Sequence, residues 1–200
     1  MRVISGTAGG LALKSPGKGT RPTMDRVKAA IFSSLGDLVP GARALDLFAG
    51  SGSLGIEALS RGAASAVFVE HHGPTAGIIR NNLRTTRLEG SVQQMDVSRF
   101  LDLYAETGML DLVFADPPYL KEHREQGGSG EDAPPNPADL LLSHPKLRLI
   151  LSSQGLLILE CERRQPLPSL GAWEILSDRS YGESRILILR PLPLSALPTA

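Results

Sequence analysis

The segment LDLFAGSGSLGIEAL, residues 45–59, constrains the fold more than any other part of the chain. A short apolar run ends at three spaced glycines, Gly50, Gly52 and Gly55, and an apolar pattern of helical period follows. A strand that feeds a glycine turn and opens a helix is the first half of a β-α-β unit. Glycine is required there because the backbone must turn tightly and approach a ligand without a Cβ in the way. The spacing predicts a parallel sheet with a ligand-binding loop at the carboxyl end of its first strand.

The rest of the chain agrees with that architecture. Pro22 suits the first turn of a helix, and Met24, Val27, Ile31, Leu35 and Leu38 then recur at helical spacing. Strand-like runs at 43–48, 66–70, 91–95 and 110–115 alternate with helices around 53–61, ending near Leu88, and starting at Ser98. Alternating β and α elements predict a mostly parallel sheet covered on both faces. A further buried strand is expected at 155–160. WEIL and SRILILR around SDRSYGE predict a C-terminal antiparallel hairpin. Residues 121–137, polar and rich in Gly and Pro, read as a loop. The expected organisation is a glycine-rich N-terminal arm or hairpin over 1–21, one α/β domain over 22–190, and a frayed tail over 191–200.

Charge adds a partner class. The whole chain has no formal net charge, but the first thirty residues carry Arg2, Lys14, Lys18, Arg21, Arg26 and Lys28 against Asp25 alone. Such an excess predicts an arm facing nucleic acid, with an ordinary solvated surface as the plain alternative. A single cysteine, Cys161, excludes an internal disulfide and fits a reducing, cytoplasmic setting. No run approaches the length of a membrane span, and the first residues lack the apolar core of a secretion signal. His71, His72, His123 and His144 have no metal-ligand spacing, so no metal is expected and all four read as surface or loop residues.

The glycine loop admits two cofactors. Glu70 ends the second strand, where a carboxylate can accept hydrogen bonds from both ribose hydroxyls of a nucleotide. Glycines and Glu70 alone would suit a nicotinamide dinucleotide and an oxidoreductase, with the pyrophosphate at the helix N-terminus. Asp46 argues otherwise, since a carboxylate inside the first strand repels phosphate and suits the ammonium of a methionine moiety. That favours S-adenosylmethionine, with Asp96 placed to receive the adenine amine. The plainer readings are loop amides satisfying Asp46 and a helix N-cap for Asp96.

The stretch LDLVFADPPYL, residues 110–120, carries the chemistry. A buried strand closes on Asp116, two prolines and Tyr119. Pro117 cannot donate to a central ladder, and each proline holds its predecessor extended. The outcome is a stiff carboxylate and carbonyl at a strand end, able to orient a planar amine, with an aromatic face beside it for stacking. A base approaching them must be unpaired or flipped out of its helix.

These residues, with RVISGTAGGLAL, RPTMDRVKAAIF, LDLFAGSGSLGIEALSRGA and RSYGESRIL, resemble the RsmD family, the bacterial 16S rRNA guanine-N2 methyltransferases. The likeness runs from Arg2 to Leu189. It implies a Rossmann-like class I methyltransferase with a seven-stranded sheet, acting with S-adenosylmethionine on guanine 966 of small-subunit rRNA; a monomer is the expected state. Asp116, Pro117, Pro118 and Tyr119 are the catalytic segment it implies. The cofactor set is Asp46, Phe48, Ala49, Gly50, Ser51, Gly52, Glu70, Asp96 and Val97, with Thr23 in a segment that folds over the cofactor. The RNA set is Arg2, Lys14, Lys18, Arg21, Arg26 and Tyr181. Ser33 and Ser34 depart from the family's usual Asn after Phe32, and the loop after Tyr119 is long. A DNA amino-methyltransferase and a non-catalytic RNA-binding protein are the rival readings.

Overall fold

The computed structural model describes residues 1–17, 22–104, 108–118, 136–164 and 170–193, with the side chains of Pro22 and Thr23 left aside. Lys18, Arg21, Tyr119, His123 and most of the expected loop lie outside the described residues, as does the Thr23 side chain.

Strand β1 (Arg43–Leu47) is central because its four residues Ala44 to Leu47 are all buried. It runs parallel to β2 (Ser65–Val69) on one side and β4 (Leu110–Ala115) on the other. β3 (Ser91–Gln93) and β5 (Leu151–Glu162) extend the parallel set outwards. β7 (Ser184–Pro191) returns antiparallel to β5 and pairs with β6 (Trp173–Tyr181), so the seven strands stand in the order β3-β2-β1-β4-β5-β7-β6.

Helices cover both faces. α1 (Pro22–Leu35) and α2 (Ser53–Ser60) pack on the face presenting Ala44, Phe114, Ile158 and Ile186. α4 (Val97–Tyr104), α5 (Pro137–Ser143) and α6 (Leu147–Ile150) cover Leu45, Val113, Leu157 and Leu187 on the other. α3 (Gly73–Thr86) follows β2 and sends Ile79 and Leu83 into the first of these cores. Alternation along each strand sends neighbours to opposite faces, which is why both cores draw on the same strands.

Several expectations are corrected. The helical pattern extends to Leu38, but α1 ends at Leu35 and Leu38 sits in a 3-10 turn at Gly36–Leu38. β6 continues through SDRSY, so the hairpin turn shrinks to Gly182 and Glu183. α5 starts at Pro137, inside the expected loop, with Asn136 capping it by accepting the Ala138 amide at 3.0 Å.

The N-terminal segment is packed rather than projecting. Residues 2 and 12 bridge as an antiparallel turn, and Val3, Ala8 and Leu13 are buried in the α1/α2 core. Gly6 has a φ of +86°, and a Cβ there would collide with the Ser60 carbonyl. Three buried polar side chains hold the segment down. Glu57, fully buried on α2, accepts the Ile4 amide at 2.7 Å and the Ser5 amide at 3.0 Å. Ser60 accepts the Ala8 amide at 3.0 Å and donates to the Ser5 carbonyl at 2.6 Å. Asn82 accepts the Lys14 amide and donates to the Lys14 and Ser51 carbonyls, each at 2.9 Å.

Lys28 must therefore leave the list of bases that face outwards. Its ammonium is buried, donating to the Arg2 carbonyl at 2.7 Å and lying 3.5 Å from Glu57 Oε2. A lysine on the inner face of α1 serves the fold, not a phosphate.

Candidate active site

The carboxyl ends of β1, β2, β4 and β5 lie side by side, and the residues of interest follow directly from them. Beyond β1 the chain passes through Phe48 with φ +55°, a left-handed conformation that is strained for a bulky residue. The Ala49 amide is held by the Val69 carbonyl at 3.0 Å, and Ala49 in turn accepts the Gly52 amide at 2.6 Å. Backbone strain sustained by such over-determination belongs to ligand-binding loops.

The glycines divide the work. Gly55 packs α2 against the sheet, because a Cβ there would enter the Phe68 ring. Gly52 starts α2 at φ +76°. Gly50 instead has open space beside it, since a Cβ there would meet only the Phe48 carbonyl, at 3.9 Å. The exposed face of the turn is thus at Gly50, where a ligand can approach the backbone.

Two carboxylates flank that opening. Glu70 is buried, with Oε2 accepting the Gly50 amide at 3.0 Å and Oε1 the His72 amide at 2.8 Å. Each oxygen keeps a second lone pair, so the same bonds that aim the carboxylate leave it able to accept from a ligand. Asp46 lies under the turn, its Oδ2 accepting the Gly55 amide at 2.9 Å. Burial, with a smaller push from Glu70, raises its pKa to about 7 in spite of the Gly55 bond and the Lys28 charge. The loop-amide reading of Asp46 thus holds for one oxygen. Asp96 caps α4, its Oδ1 accepting the Ser98 amide at 2.8 Å and the Arg99 amide at 3.3 Å, and it is otherwise exposed. Val97 behind it is buried, and Ser51 is tied into the arm by donating to Met1 Sδ at 3.2 Å.

Asp116 and Pro118 are exposed, with Pro117 buried between them. They form part of the floor of a cavity of about 550 Å³ walled by α1, the start of α2 and the β6–β7 turn. Water reaches Asp116 through the open mouth, yet protein crowds it from below. That desolvation, then the charges of Glu160 and Asp46, hold its pKa well above the usual carboxylate range. Tyr181 and Glu160 line the same cavity, so a residue expected to meet RNA stands in the same space as the Asp-Pro-Pro segment. Arg2, Lys14 and Arg26 are exposed outside it, with the Arg2 guanidinium 3.8 Å from Asp25.

Glu160, Glu57 and Asn82 escaped the sequence reading. The alternation in LLILECE could have pointed to Glu160, once its strand was set in register with the one ending at Asp116.

Comparison with known proteins supplies context for this geometry. The family model described as "Conserved hypothetical protein 95" matches residues 1–190. The Bacillus subtilis (strain 168) protein "Putative rRNA methyltransferase YlbH" is 37% identical over 196 residues, covering 95% of this chain and 98% of the relative. "Ribosomal RNA small subunit methyltransferase D" of Haemophilus influenzae is 34% identical over 188 residues, covering 91% of this chain and 89% of the relative. Among solved structures, "Putative methyltransferase yhhF from Escherichia coli" superposes with a TM-score of 0.72 at 28% identity, covering 96% of this chain and 98% of that one.

Proposed function

The chain belongs to the RsmD family, and from that premise we propose that it methylates the exocyclic N2 amine of guanine 966 in 16S rRNA, using S-adenosylmethionine. One observation carries the reading: Asp116-Pro117-Pro118 floors a cavity close to an open glycine turn flanked by buried carboxylates.

S-adenosylmethionine, when bound, supplies an electrophilic methyl on a sulfonium. The residues present fit it. The opening at Gly50 admits a ligand against backbone, Glu70 is aimed for ribose hydroxyls, and Asp46 offers a carboxylate to an ammonium. Phe48, Ala49, Gly50, Ser51 and Gly52 form the wall, Asp96 and Val97 the adenine end, and Thr23 belongs to the covering segment. A pyrophosphate beside Asp46 would be repelled, which disfavours a nicotinamide cofactor.

The lone pair of guanine N2 is delocalised into the ring, so the amine is a poor nucleophile and orientation must do much of the work. Asp116 and the Pro117 carbonyl accept its two hydrogens and turn the nitrogen towards the methyl. Negative charge at Asp116 stabilises the positive charge that develops on N2. Transfer would break the sulfonium S–C bond as the N2–C bond forms, with S-adenosylhomocysteine as the leaving group, and the surplus N2 proton would pass to Asp116, whose raised proton affinity suits it as acceptor, and then to solvent. Tyr119 and Tyr181 supply faces for the unstacked base, each worth about 1–3 kcal/mol where stacking is full.

The test is methylation of small ribosomal subunits with labelled S-adenosylmethionine, followed by mapping of the modified nucleotide. Label on N2 of guanine 966 is the expected result. Label on another base would move the substrate, and absence of transfer to any RNA would remove the activity.

A further inference from the structure

Glu160 lines the same cavity as Asp116 and has no part in the chemistry described so far. Its placement follows from register. Strands β4 and β5 run parallel with Phe114 beside Ile158 and Ala115 beside Leu159. One step further sets Asp116 beside Glu160. Phe114 and Ile158 face the α1/α2 core, so by the two-residue alternation Asp116 and Glu160 point the same way, into the cavity that both line. Neighbouring parallel strands stand about 4.8 Å apart, so the two carboxylates are a pair. The Glu160 charge contributes to the raised pKa of Asp116, which agrees with that closeness.

A base that presents two adjacent hydrogen-bond donors complements two carboxylates set side by side, and guanine does so. Its Watson–Crick edge carries the N2 amine and, next to it, the N1–H. Adenine and cytosine place an acceptor next to their amine, and a carboxylate facing that acceptor repels it. Resting on the reading of the cavity as a guanine-amine site, we propose that Glu160 accepts the guanine N1–H and thereby selects guanine over other amino-bearing bases. Asp116 and the Pro117 carbonyl orient the reacting amine, and Glu160 reads its neighbour. A site built to pair with a donor rejects an analogue lacking it by roughly 10⁴–10⁵ at best, far more than shape alone achieves. The half-buried position of Glu160 makes a smaller factor appropriate here.

The analogue that isolates this contact is 2,6-diaminopurine, which keeps the 2-amine but carries an acceptor at N1. Small subunits are assembled on 16S rRNA bearing either guanine or 2,6-diaminopurine at the target position. The unaltered protein is expected to prefer guanine by at least about a hundredfold in kcat/KM, a modest part of that ceiling. Glu160→Gln, whose amide can donate to the N1 acceptor, should lower guanine methylation and raise the diaminopurine-to-guanine ratio at least tenfold. Calorimetric affinity for S-adenosylhomocysteine should stay within about twofold, which shows the variant folded. A ratio unchanged in Glu160→Gln, with the unaltered protein active on guanine, overturns the role of Glu160 alone. An unaltered protein that transfers no methyl to the guanine amine overturns the underlying reading and this inference with it.

Discussion

At the scale of single residues, the same carboxylate chemistry is set to three uses by its surroundings. Asp116 stands at the open mouth of the cavity, where the proposed substrate amine would enter. Asp116→Ala is expected to abolish methyl transfer while leaving S-adenosylhomocysteine affinity within a few-fold. A parallel loss of cofactor affinity would assign Asp116 to binding. Glu70 is fixed by the Gly50 and His72 amides, with His71 Nδ1 3.3 Å from Oε1, beside the open turn at Gly50. Glu70→Ala should weaken cofactor binding by roughly 1–3 kcal/mol, the range for hydrogen bonds to a charged acceptor, as read by calorimetry. Unchanged affinity would reduce Glu70 to a brace for the turn. Asp46 carries a pH signature. Its pKa is raised to about 7 in the folded protein, so below that pH it holds a proton that an incoming ammonium must displace. Binding of S-adenosylhomocysteine should therefore tighten as pH rises towards 7, level off above it, and release protons on the acid side. Asp46→Asn should bind weakly and without that slope. A flat profile for the unaltered protein between about pH 5 and 7 would leave Asp46 serving the Gly55 amide alone.

At the scale of elements, the device that most shapes the site is the clamp between the N-terminal turn and α2. Glu57 is fully buried yet accepts from the Ile4 and Ser5 amides and, at 2.7 Å, from Arg61 Nε, with the Lys28 ammonium at 3.5 Å. A buried charge with its partners removed is costly, so Glu57→Ala should destabilise by about 3–5 kcal/mol in denaturant unfolding. A loss below about 1 kcal/mol would mean the clamp is slack. The clamp was not legible in the sequence, where residues 1–21 read as a short hairpin or loop arm and nothing local marks Glu57 as its partner. The strands were legible for the opposite reason. β1 and β4 are mostly apolar and buried because helices cover both sides, with Asp46 the polar exception inside β1, and a short apolar run closed by glycine or proline is a strong strand signal. β6 was half-missed because its interior is exposed and polar, which reads as turn. α5 and α6, of seven and four residues, are too short to declare a period. The candidate site follows the same division. Its loop and its Asp-Pro-Pro segment are local in sequence, whereas Glu160 becomes meaningful only through a strand pairing across 44 positions.

At the scale of the whole molecule, the uneven charge acquires a more exact form. The first thirty residues carry a surplus of bases, but Lys28 is turned inwards and balanced by Glu57. The described bases left at the surface of this region are Arg2, Lys14 and Arg26, and the Arg2 guanidinium meets Asp25 only at 3.8 Å in an exposed setting worth little. The clamp fixes the backbone that bears Arg2 and Lys14, so these charges are presented by a rigid surface. If they meet rRNA phosphates, replacing all three with Gln should weaken RNA binding. It should also flatten the dependence of log affinity on log salt by about 0.7 per contact on single-stranded RNA, or about 2 in all. Filter binding of rRNA fragments at several salt concentrations measures it, with S-adenosylhomocysteine affinity as the check on folding. Lys28→Gln separates charge from position. It removes the same formal charge, so a buried clamp residue should cost stability and leave the salt slope alone. An unchanged slope in the triple variant would move recognition away from this surface, towards the β6–β7 turn at the cavity mouth. A slope flattened equally by Lys28→Gln would mean that net charge, not placement, governs the encounter.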